Sequence, residues 1–197
     1  MADLAFRNTE RLQLLISDLL DFNKLAAGGL QVRIRGETLQ PLLDSALEDN
    51  AQMAATQGVQ LEPETGDLPD LLCDKHRLRQ ILDNYINNAI KFSPPGGTVR
   101  ISTGTSSPGW VRIMVSDQGS GVPDAFANRI LKRFAQAETG TARSVKGTGL
   151  GLAICSELAK LMNGKVGYYN NRGAHFWVEL PTAKKTGSTA AEREAKR

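Results

Sequence analysis

Asp83-Asn84-Tyr85-Ile86-Asn87-Asn88-Ala89-Ile90-Lys91-Phe92 is the stretch around which this chain is organised. It lies in a run whose apolar residues Leu78, Ile81, Leu82, Tyr85, Ile86, Ala89 and Ile90 recur three and four apart, the period of an amphipathic helix. Asn84 and Asn88 fall one turn apart, with Lys91 three residues further on, so the three share one side of that helix. Two carboxamides and an ammonium on one stripe suit a magnesium-bound polyphosphate. Magnesium takes oxygen ligands and keeps several waters, which leaves room for one neutral amide oxygen. Lysine meets phosphate as a compact charge. Taken alone, the stripe also reads as a solvated helix edge; the sequence downstream decides.

Two glycine sets follow. Asp117-Gln118-Gly119-Ser120-Gly121-Val122-Pro123 comes directly after an alternating run. Its glycines permit close approach of backbone to a ligand, or positive φ. A carboxylate at the end of a strand accepts a hydrogen bond from an exocyclic amine. Adenine offers that amine and guanine a carbonyl, so Asp117 would select ATP over GTP. The second set, Gly147-Thr148-Gly149-Leu150-Gly151-Leu152, runs into a helix, where free N–H groups make a phosphate site. It is no P-loop, because no Gly-Lys-Ser/Thr follows, and a dinucleotide fingerprint would need a strand before it. About 25 residues rich in small and polar side chains separate the two sets, enough for a functional lid.

In this order and spacing, the Asn84/Asn88/Lys91 helix, Asp117-x-Gly119-x-Gly121 and Gly147-Thr148-Gly149-Leu150-Gly151-Leu152 resemble the catalytic ATP-binding domain of sensor histidine kinases, within the GHKL ATPase superfamily. The resemblance covers residues 30 to about 182. Residues 3–27, with Arg11-Leu12, Phe22-Asn23-Lys24 and Gly28, look like the second helix of that family's dimerisation and phosphoacceptor hairpin. It implies ATP and Mg2+ as cofactors, with Asn88 on magnesium, Asn84 supporting it and Lys91 on the phosphates. Asp117 would read adenine while Gly119 and Gly121 let the base lie close. Gly147, Thr148, Gly149, Leu150 and Gly151 would form the phosphate-facing turn and hinge of the lid, and Arg143 would reach the γ-phosphate. The chain departs from the family pattern at Leu131, where a phenylalanine is usual (Phe134 keeps the second), at Lys146 and at His175. The implied partners are the phosphoacceptor helix of the parent kinase, a response regulator, and a second copy of the parent through helix 3–27. The family's phosphoacceptor histidine precedes that helix; His76 and His175 are the only histidines here, and both fall in the ATP-binding part. His76 reads as a surface residue and His175 as a structural one.

The remaining pattern gives the architecture. Leu12, Leu15, Ile16, Leu19, Leu20 and Phe22 form a broad stripe on the first helix, which Gly28-Gly29 stops; a stripe this wide calls for a bundle partner. Leu30–Arg35 alternates and reads as a strand. Thr38–Gln57 is a helix ended by Gly58, Val59–Glu62 a short strand, and Leu68–Cys73 a strand weakened by Pro69. Asp74 caps the central helix and Pro94-Pro95-Gly96-Gly97 ends it. Thr98–Gly104 and Trp110–Ser116 form a hairpin, Ala125–Phe134 an amphipathic piece and Leu150–Met162 a helix; Val166–Tyr169 and Ala174–Leu180 pair last. The class is α+β, a two-layer sandwich of a mixed sheet with helices on one face, preceded by one long helix. Three segments are expected: 1–29 as the incomplete hairpin, 30–182 as the catalytic ATP-binding domain, 183–197 as a polar, disordered tail.

Charge and cysteine usage exclude several classes. The net charge of +3 resides in residues 183–197, five basic against two acidic, and leaves 19 of each sign in the body. No nucleic-acid groove is therefore expected. Cys73 and Cys155 form no CxxC and read as buried free thiols of a reducing, cytoplasmic compartment. No apolar run approaches the ~18 residues of a membrane span, so no membrane contact by this chain is expected. Three functions compete: the phosphoryl-donating part of a histidine kinase, a hydrolytic relative, and a nucleotide-switched binding module. Hydrolytic members of the superfamily carry a glutamate where this chain has Asn84, and an amide cannot take a proton from water. The kinase reading is preferred.

Overall fold

The computed structural model describes residues 9, 12, 16, 19–21, 23–25, 27–66, 68–127, 130 and 149–183. Its elements are β1 (Arg35–Glu37), α1 (Leu39–Gln57), β2 (Gln60–Glu64), β3 (Leu71–Cys73), α2 (Lys75–Phe92), β4 (Thr98–Ser107), β5 (Trp110–Ser116), α3 (Asp124–Ala127), α4 (Gly151–Leu161), β6 (Lys165–Asn170) and β7 (Ala174–Pro181). A five-stranded sheet runs β2-β4-β5-β7-β6, with β2 parallel to β4 and every other pair antiparallel. The class is the α+β expected from the sequence: a mixed sheet with α1, α2 and α4 on one face. The described residues from 9 to 25 are helical and precede it, and that helix ends at Gly28, whose φ is +64°.

The stripe of α2 is its buried face: Leu78, Ile81, Leu82, Tyr85, Ile86, Ala89 and Ile90 are all in the core. Each large side chain fully removed from water contributes roughly 1.5–3 kcal/mol, which makes α2 the central element of the helical layer. It meets the alternating inward residues of the strands, among them Val99 and Ile101 of β4, Val111, Ile113 and Val115 of β5, and Phe176, Val178 and Leu180 of β7. Tyr85 lies 5.7 Å from the Phe176 ring. None of α1, α2 and α4 packs on the other sheet face. There the Arg112 guanidinium lies 4.3 Å above Trp177 and donates to Glu179 Oε1, while Lys165 stands 5.0 Å above Trp110, so charged groups cover the aromatic surface.

The strand expected at Leu30–Arg35 is displaced. Pairing begins only at Arg35, in register with Cys73, and continues to Glu37 opposite Leu71. Extending the ladder backwards would set Arg33 against the first turn of α2, where no strand is available. The Asp74 side chain takes that place: Oδ2 accepts from Arg33 N (2.9 Å), and Oδ1 caps α2 by accepting from His76 N and Arg77 N. The β4–β5 hairpin is also longer than expected, because Pro108-Gly109 alone makes the turn and a bulge near Ser106 absorbs the irregularity. His76 is exposed, and both cysteines are buried thiols outside any disulfide. Burial first, then the charges of Glu37 and Asp74, push the Cys73 thiol up to about 12, so it stays protonated.

Asp74 links this cap to pH. Burial raises its carboxyl, but the three backbone N–H groups of Arg33, Arg77 and His76 and the Arg77 charge outweigh that and hold it below the ordinary value. A lowered native pKa contributes stability above the ordinary value of about 4 and loses it as pH falls through the native one. Asp74→Ala is therefore expected to cost about 1–2 kcal/mol at pH 7. In urea titrations the gap to wild type should narrow below about pH 4; an equal gap at pH 7 and pH 3 would remove the carboxylate from the account.

Candidate functional site

Three motifs meet along α2. Asn84 and Asn88 are half-buried on its flank, and Asn88 Nδ2 donates to Asn84 Oδ1 at 3.1 Å. That bond fixes both carboxamides and leaves Asn88 Oδ1 without a partner among the described residues. Lys91 is exposed on the last turn. A Cβ on Gly151, the first residue of α4, would stand 2.3 Å from Asn84 Nδ2, so any larger residue there would push the Asn84 carboxamide out of its present place. Gly149 has φ +70° and Leu150 is buried. Arg143, Gly147 and Thr148 lie outside the described residues, as do Leu131, Phe134 and Lys146.

Asp117 sits at the end of β5, buried, with its backbone N–H on Ala174 O (2.9 Å). Its Oδ1 accepts from Gly119 N (2.8 Å) and Ala174 N (3.1 Å). Oδ2 has no partner among the described residues. Two N–H groups on one oxygen orient the carboxylate and aim the other oxygen at a donor. Gly119 passes over the end of α2 so closely that a Cβ would fall 2.3 Å from Phe92 O. Gly121, at φ +74°, packs on Asn170, whose Oδ1 accepts from Val122 N and whose Nδ2 donates to Val122 O.

Asn170 escaped the sequence reading, and so did Gly173. A Cβ on Gly173 would lie 1.9 Å from Asp117 O, and its φ is +138°. The sole local signal for either was the turn-forming run Asn170-Asn171-Arg172-Gly173. A cavity of about 330 Å³ between the start of α1 and β4 holds none of the predicted residues; Thr38, Leu39, Gln40, Leu43, Thr65, Gly66, Leu68 and Thr103 line it, with no charge to meet a phosphate. No described helix is long and apolar enough to cross a membrane.

The family model for histidine kinase-, DNA gyrase B- and HSP90-like ATPases matches residues 73–184, which span all three motifs. Two-component system protein A of Emericella nidulans is 36% identical over 183 residues, covering 88% of this chain and 26% of that protein. The adaptive-response sensory kinase SasA of Synechococcus elongatus is 30% identical over 187 residues, 93% of this chain and 48% of that one. The chain thus spans half or less of the length of these relatives. Among solved structures, full-length ShkA in complex with AMPPNP superposes with a TM-score of 0.78 at 34% identity, over 91% of this chain and 38% of that one.

Proposed function

Because the chain belongs to the histidine kinase-, DNA gyrase B- and HSP90-like ATPase family, we propose that it is the ATP-binding catalytic part of a two-component sensor histidine kinase. In this reading residues 30–182 donate the γ-phosphoryl group of ATP to a histidine on another stretch of polypeptide. Residues 1–29 supply the second helix of the dimerisation and phosphoacceptor hairpin, and a response regulator receives the phosphoryl group in turn. Leu12, Ile16, Leu19 and Leu20, each about half exposed, are what a bundle partner, including a second copy, would cover.

The residues fit Mg-ATP. Asp117 Oδ2 offers an acceptor for the exocyclic amine of adenine, in a loop that Gly119 and Gly121 bring close. Asn88 Oδ1 offers a magnesium ligand, Lys91 a charge for the phosphates, and Gly149 to Gly151 a helix start; Arg143, Gly147 and Thr148 belong to the same proposal. No group of three acidic, histidine or cysteine side chains converges among the described residues. Magnesium would accordingly be held mainly by phosphate oxygens and water, with one amide oxygen from the protein. Bound magnesium supplies charge neutralisation at the phosphates; the chain supplies orientation and exclusion of water.

The observation that carries the kinase reading over the hydrolytic one is Asn84. Its carboxamide is bonded to Asn88 and covered by Gly151, and it has no basic oxygen with which to activate water. Incubating the chain with γ-labelled ATP and a polypeptide bearing the phosphoacceptor helix is expected to give acid-labile label on that polypeptide and none on this chain. Label on His76 or His175, or phosphate release faster than labelling, would overturn the reading.

A further inference from the structure

His175 lies on the closing strand β7, and the structure gives its ring three neighbours, Ser116, Asn171 and Tyr169. In the antiparallel register it stands opposite Ser116 of β5 on one side and Tyr169 of β6 on the other. Nδ1 lies 2.8 Å from Ser116 Oγ and Nε2 lies 2.9 Å from the carbonyl oxygen of Asn171. A carbonyl only accepts, so Nε2 carries the proton, and in the neutral ring Nδ1 accepts from the serine hydroxyl. Tyr169 stacks on the imidazole at 4.5 Å and 4°, and its hydroxyl reaches Met114 Sδ. The ring is held at both nitrogens and on one face.

The two groups that His175 joins belong to the two segments that meet at Asp117, the end of β5 and the β6–β7 turn. Ser116 is the residue before it. Asn171 opens the β6–β7 turn, which closes by Asn171 N donating to Gly173 O (3.0 Å). The same turn delivers Gly173 against the Asp117 carbonyl and Ala174 N–H onto Asp117 Oδ1. Nothing else between Asn170 and Ala174 ties the Asn171 carbonyl down among the described residues.

We propose that His175 is a positioning residue for base recognition: by latching the Asn171 carbonyl to the end of β5 it fixes the turn that aims the Asp117 carboxylate. The proposal rests on Asp117 being the adenine reader. His175 itself faces away from the core, since Ala174 and Phe176 on either side of it are buried, and it has no need to touch the nucleotide. Its effect falls on discrimination at the exocyclic group, and only secondarily on overall affinity.

Calorimetry of the chain with ATP and with inosine triphosphate, which carries a carbonyl where adenine has the amine, reads this out. Wild type should prefer ATP clearly. His175→Ala should weaken ATP by about tenfold, the loss of a well-placed hydrogen bond, and leave inosine triphosphate nearly unchanged, so that the preference collapses. His175→Gln places an amide nitrogen near the position of Nε2, reaches the Asn171 carbonyl and should restore most of the preference. His175→Asn offers an acceptor near Nδ1 only and should behave as the alanine variant. If His175→Ala does not fold, the contrast between glutamine and asparagine decides alone. Equal losses for both nucleotides, an unchanged preference, or glutamine no better than asparagine would reduce His175 to ordinary packing and overturn the latch. Wild type binding ATP and inosine triphosphate equally would remove the role of Asp117 and the latch with it, whereas absence of ATP binding by wild type would strike the nucleotide reading itself.

Discussion

Asp117→Asn is expected to weaken ATP binding by between about tenfold and a hundredfold, the range for a hydrogen bond to a charged group. The substitution is nearly isosteric. Its amide oxygen can still accept from Gly119 N and Ala174 N, as Oδ1 does now, so the loop should keep its shape. That choice places an NH2 group where Oδ2 stands, and two donors then face each other across the exocyclic position of adenine. Inosine triphosphate, with its carbonyl, becomes the better match, so the preference should shift in its favour as ATP affinity falls. Calorimetry with both nucleotides, alongside thermal melts to show that the fold persists, checks this. An ATP affinity within about twofold of wild type, in a variant as stable as wild type, would take base recognition away from Asp117.

How far the sequence could be read depends on how local each signal is. Helix α2 was legible almost to the residue, because its apolar stripe, its Asp74 cap and the prolines after Phe92 all lie within it or beside it. Asn84, Asn88, Asp117 and the glycines were legible as motifs for the same reason. β1 was not, because its extent depends on a partner some 40 residues away and on α2 starting at Lys75. The supports of the candidate site were hidden in the same manner. Asn170 grips Val122 across 48 residues and His175 grips Ser116 across 59, and neither pairing leaves a trace in local composition. Glycine turns look alike in sequence; only the fold shows which of them presses on a backbone atom of the site.

Gly173→Ala, which has the closest approach to backbone among the described glycines, is expected to cost about 3–5 kcal/mol, against a total of roughly 5–15 kcal/mol for a typical domain. Two costs combine. The residue holds φ +138°, which L side chains rarely adopt, and its Cβ would stand 1.9 Å from Asp117 O and 2.7 Å from Asp117 C. Those are backbone atoms of a residue hydrogen-bonded to Ala174, so they cannot rotate aside as a flexible side chain would. Relief requires β7 to separate from β5 at its first pair, which breaks the Asp117 N–Ala174 O bond and frees the carboxylate from Ala174 N. Gly109→Ala is the matched control: φ is +81° there, but nothing lies within 4 Å of the added carbon. It should cost only about 1 kcal/mol, the backbone term alone. Denaturant midpoints for the two variants separate the terms, and ATP titration of Gly173→Ala at a temperature where it remains folded should show binding lost. Equal midpoints for the two would mean that the turn does not seat against Asp117, and the close approach that fixes its carboxylate would have to be abandoned.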